Sequence, residues 1–367
     1  MPAIASANPH SKVVFPHDGA FHKSLKFEVE RYLESNHLRP RDLPRMYLKT
    51  TLIWVWWGAS WALIALFADA WWQLLLGSIA LGLAIAGIGM SVQHDANHGG
   101  YSNRPWVNRL LGLSLDAMGA SSFIWRTKHN VVHHTFTNVG GLDDDLELEP
   151  LARLSPHQAR RPWHRAQHLY MWLVYGFLHI KWVFYDDFRS LITRRVCRQP
   201  LPRLGALDHA QLWSGKVFAM AWWIVIPLLV RPAWSTLLAF LFASVVSGVV
   251  LGSTFQLAHC VEEADFVEPP ADGRIGRDWA VHQVETTVDF APQNALLTWY
   301  VGGLNFQVVH HLFPKVCHLH YPAIAKLLER VGARHGVTYR WHATLQSAIR
   351  SHYRLLRRLG RPAAVAG

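Results

Sequence analysis

Cysteine is scarce. Cys197, Cys260 and Cys317 are the three in 367 residues, they share no metal-ligand spacing, and they build no disulfide framework. The opening stretch MPAIASANPHSK holds no apolar signal region, so insertion into a membrane would rest on a later segment. The formal charge is +11, yet no stripe of basic and aromatic residues forms a groove-binding motif. Nucleic acid is therefore not the partner this charge points to.

Charge itself is missing from four stretches. None falls between Lys49 and Asp69, from Ala70 to Gln93, from Val217 to Val230, or from Pro232 to Ala258. Three of these match the length a helix needs to cross a bilayer. The third is short, and Lys216 snorkelling to the surface would lengthen it. The pattern predicts an all-α integral membrane protein with four transmembrane helices in two hairpins, at about 50–68, 71–93, 216–231 and 233–258. Tryptophans crowd the ends of the runs (Trp54, Trp56, Trp57, Trp61, Trp71, Trp72, Trp222, Trp223, Trp234), as an interfacial aromatic belt would.

Of 36 Lys and Arg, 8 lie in residues 1–50, 15 in 94–216 and 12 beyond His259. The positive-inside rule then puts both termini and the large middle segment in the cytoplasm. Residues 1–20 read as a flexible N-terminus. Leu25, Val29, Tyr32 and Leu33 follow helical spacing on a surface helix. Residues 168–185 are apolar but interrupted by His179 and Lys181, which suits an interfacial position. The acidic stretch CVEEADFVEPPADGRIGRD reads as a loop. Residues 21–340 form the main domain. Within it, Ile324, Leu327, Leu328 and Val331 share one face of a helix. Residues 341–367 form a basic amphipathic tail with Arg350, Arg354, Arg357 and Arg358 on its wet side.

Histidine is abundant, at 23 residues. At that frequency an HxxxH pair arises by chance roughly once in such a chain, so His164 and His168 carry no weight. Position gives weight to the others. In QHDANH, at the end of the second apolar run, His94 and His98 fall on one helical face and can aim at one ion. In HNVVHH, His129 and His133 share a face while His134 points about 100° away, towards a second ion. QVVHH adds His310 and His311, and His259 ends the fourth apolar run. The topology read from charge and hydropathy brings all eight to one side of the membrane.

Imidazole-only ligation suits iron, copper, nickel or zinc and argues against magnesium and calcium. Eight nitrogens fit two ions with open positions. Two adjacent irons can share the electrons needed to split dioxygen, whereas zinc has no redox chemistry, so iron is the expected metal. Asp95, Asn97 and the run Asp143, Asp144 and Asp145 are candidates to orient the rings.

HDANHGGYS, WRTKHNVVHHTFTNVGGLDDDLE and GGLNFQVVHHLFP resemble the three histidine boxes of the membrane fatty-acid desaturase family, in their usual order around two hairpins. The resemblance runs from about Phe21 to about Arg330. His259 matches the family's isolated histidine ligand after the fourth helix. Gln307 resembles the glutamine of front-end and bacterial linoleoyl-CoA-type desaturases, where other branches carry histidine, and it is left off the ligand set. The resemblance implies two non-haem irons on His94, His98, His129, His133, His134, His259, His310 and His311. It also implies dioxygen as co-substrate, a fatty-acyl substrate on CoA, acyl carrier or lipid, and insertion of a double bond. Trp125 is a candidate wall of an acyl tunnel; Asp95, Asn97, Asp144 and Gln307 are candidates to support the ligands or touch the substrate. The haem-binding HPGG of fused family members is absent, so a separate ferredoxin, cytochrome or reductase would supply two electrons. Short loops add to a likeness with bacterial members, hence an inner-membrane location.

Hydroxylases and acetylenases on the same fold use similar boxes. A membrane haem electron-transfer protein would carry paired histidines mid-membrane on facing helices, and a metal transporter would carry polar ligands inside its spans.

Overall fold

The computed structural model describes residues 13–16, 19–197 and 199–362. The expected flexible N-terminus and the last five residues of the tail therefore lie largely outside the described residues. Helix α1 (Ala20–Ser35) precedes the first hairpin, α2 (Pro44–Phe67) and α3 (Trp71–His98). The second hairpin is α7 (Ala206–Val230) and α8 (Ala233–His259). Among the described residues these four helices are long and apolar enough to cross a membrane. Between the hairpins lie α4 (Pro105–Gly112), α5 (residues 122–136) and α6 (residues 167–193). After them come α9 (Trp279–Glu285), α10 (Gln307–Leu312), α11 (Tyr321–His335) and α12 (Leu345–Leu359). Strand content is minimal: β1 (Arg195–Val196) pairs antiparallel with β2 (Gln199–Pro200), and β3 (Asp289–Phe290) pairs parallel with β4 (Trp341–His342).

The two return helices form the centre, with α3 and α8 packing along each other and α6 lying along α8. Between apolar helices in a bilayer, association depends on close backbone approach, and glycine permits it here. A Cβ on Gly82 of α3 would stand 2.6 Å from the Ala243 carbonyl of α8, and one on Gly248 of α8 would meet the Tyr175 and Gly176 carbonyls of α6 at the same distance. The interrupted 168–185 segment is thus a helix packed on a membrane span. Leu169, Leu173, Phe177 and Phe184 stay exposed on its other side.

Two expectations need correction. Lys216 does not snorkel: its buried ammonium donates to the Gly119 and Val183 carbonyls (2.6 and 2.8 Å) and pairs with Asp187 at 2.7 Å. Helix α7 begins eleven residues before the uncharged run, at Ala206. Nor do all the tryptophans form a belt. Trp71, Trp72 and Trp234 are exposed, but Trp57 and Trp223 are buried, and Trp61 stacks on Trp222 with ring centres 4.3 Å apart. Their indoles join the hairpins rather than marking a boundary.

Outside the spans, α1 sets Phe21, Leu25, Val29 and Leu33 against α11, whose Ile324, Leu327, Leu328 and Val331 are buried as their spacing required. Helix α12 buries Leu355, Leu356 and Leu359 against α6 and leaves its arginines outside. Each such leucine contributes about 1.5–3 kcal/mol. The loop 260–278 is irregular, as its composition indicated, and is pinned by bridges Val14–Arg274 and Val139–Val267.

Candidate metal centre

All eight histidines are buried, and they meet where α3 and α8 end. The end of α3 delivers His94 and His98. Just before them, residues 89–93 form a π turn, a local widening of the helix often found at functional sites. Helix α5 delivers His129, His133 and His134, and α8 ends on His259. Helix α10 delivers His310 and His311. The Asp289 carboxylate fixes its start, accepting from the Val308 amide (2.8 Å) and the Tyr339 hydroxyl (2.5 Å). Burial pushes the Asp289 pKa up to about 7 against the opposing effect of those hydrogen bonds.

The rings form two groups with donor atoms close enough for one ion each: His94, His98, His129 and His310 in one, His133, His259 and His311 in the other. Within the first, His94 Nε2 lies 3.2 Å from His129 Nε2. In the second, the ring centres are 4.8–5.0 Å apart. His134 stands between the groups, its Nε2 at 3.3 Å from His129 and 3.0 Å from His310 while its ring stacks on His311 at 4.4 Å.

His129 and His133 share a face, as their spacing required: their rings stack with centres 5.3 Å apart, and with Asp145 their donor atoms are also close enough for one ion. Residues 127–133 are a π-helix. Its wider turn, with i→i+5 bonding, brings His134 over His129 as well, while His133 also joins His259 and His311. The pairing of His94 with His98, on an α-helical stretch, agrees with its spacing.

Hydrogen bonds orient several rings. His133 Nδ1 donates to both oxygens of Asp143 (3.1 Å each). His311 Nδ1 donates to Gln283 Oε1 at 2.7 Å, with Thr137 Oγ1 at 3.2 Å. His310 Nδ1 faces the Tyr321 hydroxyl at 3.3 Å. With Nδ1 so engaged, Nε2 is the free lone pair, the arrangement that metal-binding histidines adopt. Burial, aided by neighbouring rings, lowers the pKa of His129, His134, His310 and His311 well below the ordinary value, so these rings are neutral. For His133 burial works the same way, but Asp143 and Asp145 outweigh it and its pKa is raised. Four buried polar atoms in the cluster have no protein partner: His98 Nε2, His259 Nδ1, His311 Nε2 and Gln307 Oε1. Leaving such groups unmade costs about 1–3 kcal/mol each. Neutral, oriented, unpartnered imidazoles are what a transition metal requires, and the residues fit one.

The candidates for support divide. Asp143, not Asp144, holds a ring: it is fixed by the Asn138 amide (2.9 Å), whereas Asp144 turns to Lys128 at 3.1 Å. Asp95 faces away from the eight rings and accepts from His318 Nδ1 at 2.8 Å. Asn97 accepts from Arg126 (3.1 Å) and donates to Gln93 (2.9 Å). Gln307 Nε2 lies 3.4 Å from His259 Nε2, at the second group. Trp125 stacks on His129 with ring centres 4.4 Å apart. Gln283, Thr137, Tyr321, His318 and Lys49 (whose ammonium lies 2.9 Å from His318 Nε2) were not singled out from sequence. Of these only Lys49, at the edge of an uncharged run, carried a signal, and it is buried. His164 and His168 lie apart: His164 is bonded to the Pro150 carbonyl, and the His168 ring meets Tyr353.

A cleft of about 160 Å³ runs to the first group, reaching Trp125 and His129. Tyr175, Leu178, Trp182 and Phe255 make its walls apolar, and Lys128, Asp144 and Asp145 add a polar edge.

The fatty acid desaturase family profile matches residues 69–343. The chain is 42% identical over 352 residues, 95% of each chain, to the sn-1 linoleoyl-lipid 6-desaturase of Arthrospira platensis. It is 36% identical over 360 residues, 95% of this chain and 98% of the relative, to the sn-1 linoleoyl-lipid 6-desaturase of Synechocystis sp.. It is also 34% identical to the acyl-lipid (8-3)-desaturase of Physcomitrium patens, over 93% of this chain and 72% of that one. Three histidine boxes folded into one buried cluster, together with these relatives, place the chain in the fatty acid desaturase family.

Proposed function

We propose that this protein is a dioxygen-dependent acyl-lipid desaturase with two irons held by the eight histidines, inserting a double bond near the carboxyl end of a membrane lipid's acyl chain. The observation that carries the reading is a pair of adjacent histidine groups, the first of which opens through His129 onto an apolar cleft. Acyl lipid is the favoured carrier because that is what the named relatives act on, and position 6 is the favoured site for the same reason. Residues 21–340 are the catalytic unit and residues beyond 340 a basic tail that meets anionic headgroups. The metal side and both termini face the cytoplasm of a bacterial inner membrane, following the positive residues.

Bound iron supplies the redox chemistry that couples dioxygen reduction to removal of two hydrogens from adjacent methylenes. The balance is R–CH2–CH2–R′ + O2 + 2 electrons + 2 H+ giving R–CH=CH–R′ + 2 H2O. The chain's own residues do the rest. The apolar walls hold the methylenes against the histidine end of the cleft and keep water away. Trp125, stacked on His129, forms the boundary between acyl chain and ligands. Asp143 and Gln283 hold His133 and His311 in the tautomer that offers Nε2.

The test is mass-spectrometric profiling of lipids from a bacterial host that makes the protein and is fed linoleate, beside the same host making His310→Ala. A new double bond at position 6 on lipid-bound chains, seen with the intact protein alone, is the expected result. A new hydroxyl group instead would replace the desaturase reading with a hydroxylase on the same centre.

A further inference from the structure

A second opening reaches the histidines. Trp125 and Arg126 are neighbours on one helical turn of α5, and consecutive residues on a helix point about 100° apart. Trp125 lines the apolar cleft, while Arg126 lines an open recess of about 650 Å³. The floor of that recess includes His98, whose Nε2 has no protein partner. The first histidine group is thus reached from two sides, at His129 through apolar walls and at His98 through polar ones.

The recess is basic. Arg41, Arg109, Arg126 and Lys315 line it against a single carboxylate, Asp208. Two of the cations are held in place. Arg41 donates to the Gly99 carbonyl (2.9 Å) and to Asn103 Oδ1 (2.8 Å), and Arg126 donates to Asn97 Oδ1 (3.1 Å), the side chain next to His98. Arg109 and Lys315 are exposed at the rim. Fixed cations near the centre and free ones at the rim attract an acidic partner from a distance and set its orientation on arrival.

The desaturase reading, on which this step rests, needs two electrons per double bond from outside the acyl chain. A folded carrier cannot enter a cleft filled by that chain. It needs an open surface with a ligand ring beneath it, and redox partners meet over small, charge-steered contacts. We propose that this recess is the docking surface for an acidic one-electron carrier protein, whose electrons enter the metal centre through the His98 ring. Two encounters serve each turnover. Each oxidises one carrier by one electron. These two electrons join the two taken with the acyl hydrogens, and two protons from solvent complete two waters from one dioxygen.

The experiment uses the full-length, iron-loaded protein in lipid nanodiscs, with a reduced acidic [2Fe–2S] ferredoxin as donor and, separately, dithionite with a small mediator. In the double variant Arg109→Glu/Lys315→Glu, the KM for ferredoxin is expected to rise at least about tenfold and its salt dependence to flatten. Turnover with dithionite and the KM for acyl substrate should not move. Arg354→Glu/Arg357→Glu, in a separate arginine-lined pocket on α12, should leave the KM for ferredoxin unchanged. An unchanged ferredoxin KM in the recess variant overturns the proposal, as does a rise confined to the α12 variant. Weakened binding to phosphatidylglycerol vesicles with the ferredoxin KM unmoved would make the recess a headgroup site and also overturn it. No turnover by the unsubstituted protein with either donor strikes the desaturase reading itself, and the docking proposal falls with it.

Discussion

The two histidine groups are built differently. In the group of His94, His98, His129 and His310, ring contacts dominate: Trp125 stacks on His129, and His94 meets His310 at 4.4 Å between centres, with the Tyr321 hydroxyl at His310 Nδ1 as a polar hold. In the group of His133, His259 and His311, hydrogen bonds donated to Asp143 and Gln283 hold His133 and His311, and Gln307 stands beside His259 where a further ligand would fit. The first group adjoins both openings, and the second neither. The group beside the openings is shaped mainly by packing, and the group behind it is held by a polar scaffold that fixes tautomer and angle.

The largest effect should come from removing a ring from either group. His310→Ala and His133→Ala are each expected to abolish turnover while leaving insertion intact, checked by lipid profiling and membrane fractionation. Retained activity in one of them would show that a single group suffices. Asp143→Asn sharpens the contrast, since it weakens only the second group. Loss of such a partner typically costs 10–100-fold in metal affinity, so a chelator titration should show one weakened site and one unchanged. Trp125→Ala acts on the first group alone. It should lower kcat/KM by about tenfold through looser placement of the acyl chain, with metal content unaltered in elemental analysis.

The smallest effect concerns Asp289, which anchors the helix serving both groups. Its pKa is raised by burial from 3.8 to about 7, so the folded state holds a proton the unfolded state releases. That contribution to stability is full below about pH 4 and is lost as pH rises through about 7. Melting curves of Asp289→Asn in detergent should therefore fall less between these limits than those of the unsubstituted protein.

Much of this was legible in the sequence. Long uncharged runs announce membrane helices because nothing else buries twenty apolar residues in a row. The i, i+4 spacing of His94 and His98 announces a shared face, and the period of Ile324, Leu327, Leu328 and Val331 announces their burial. What was hidden has physical reasons too. The approach of His134 to His129 depends on a π-helix, and no local residue pattern signals that geometry. Lys216 is an apparent surface cation that becomes an internal tie only because Asp187, on a distant helix, meets it. Gln283 and Asp143 reach their rings through tertiary structure, so neither the spacing of Gln283 nor the choice of Asp143 over Asp144 could be read from neighbouring residues.

The most direct measurement is the metal content of the purified, active protein, counted per chain by mass spectrometry and repeated for Asp143→Asn at limiting iron. Two irons per chain, falling towards one in the variant, is the expected result. One iron or none in fully active protein would contradict the assignment of the two histidine groups to two metal ions.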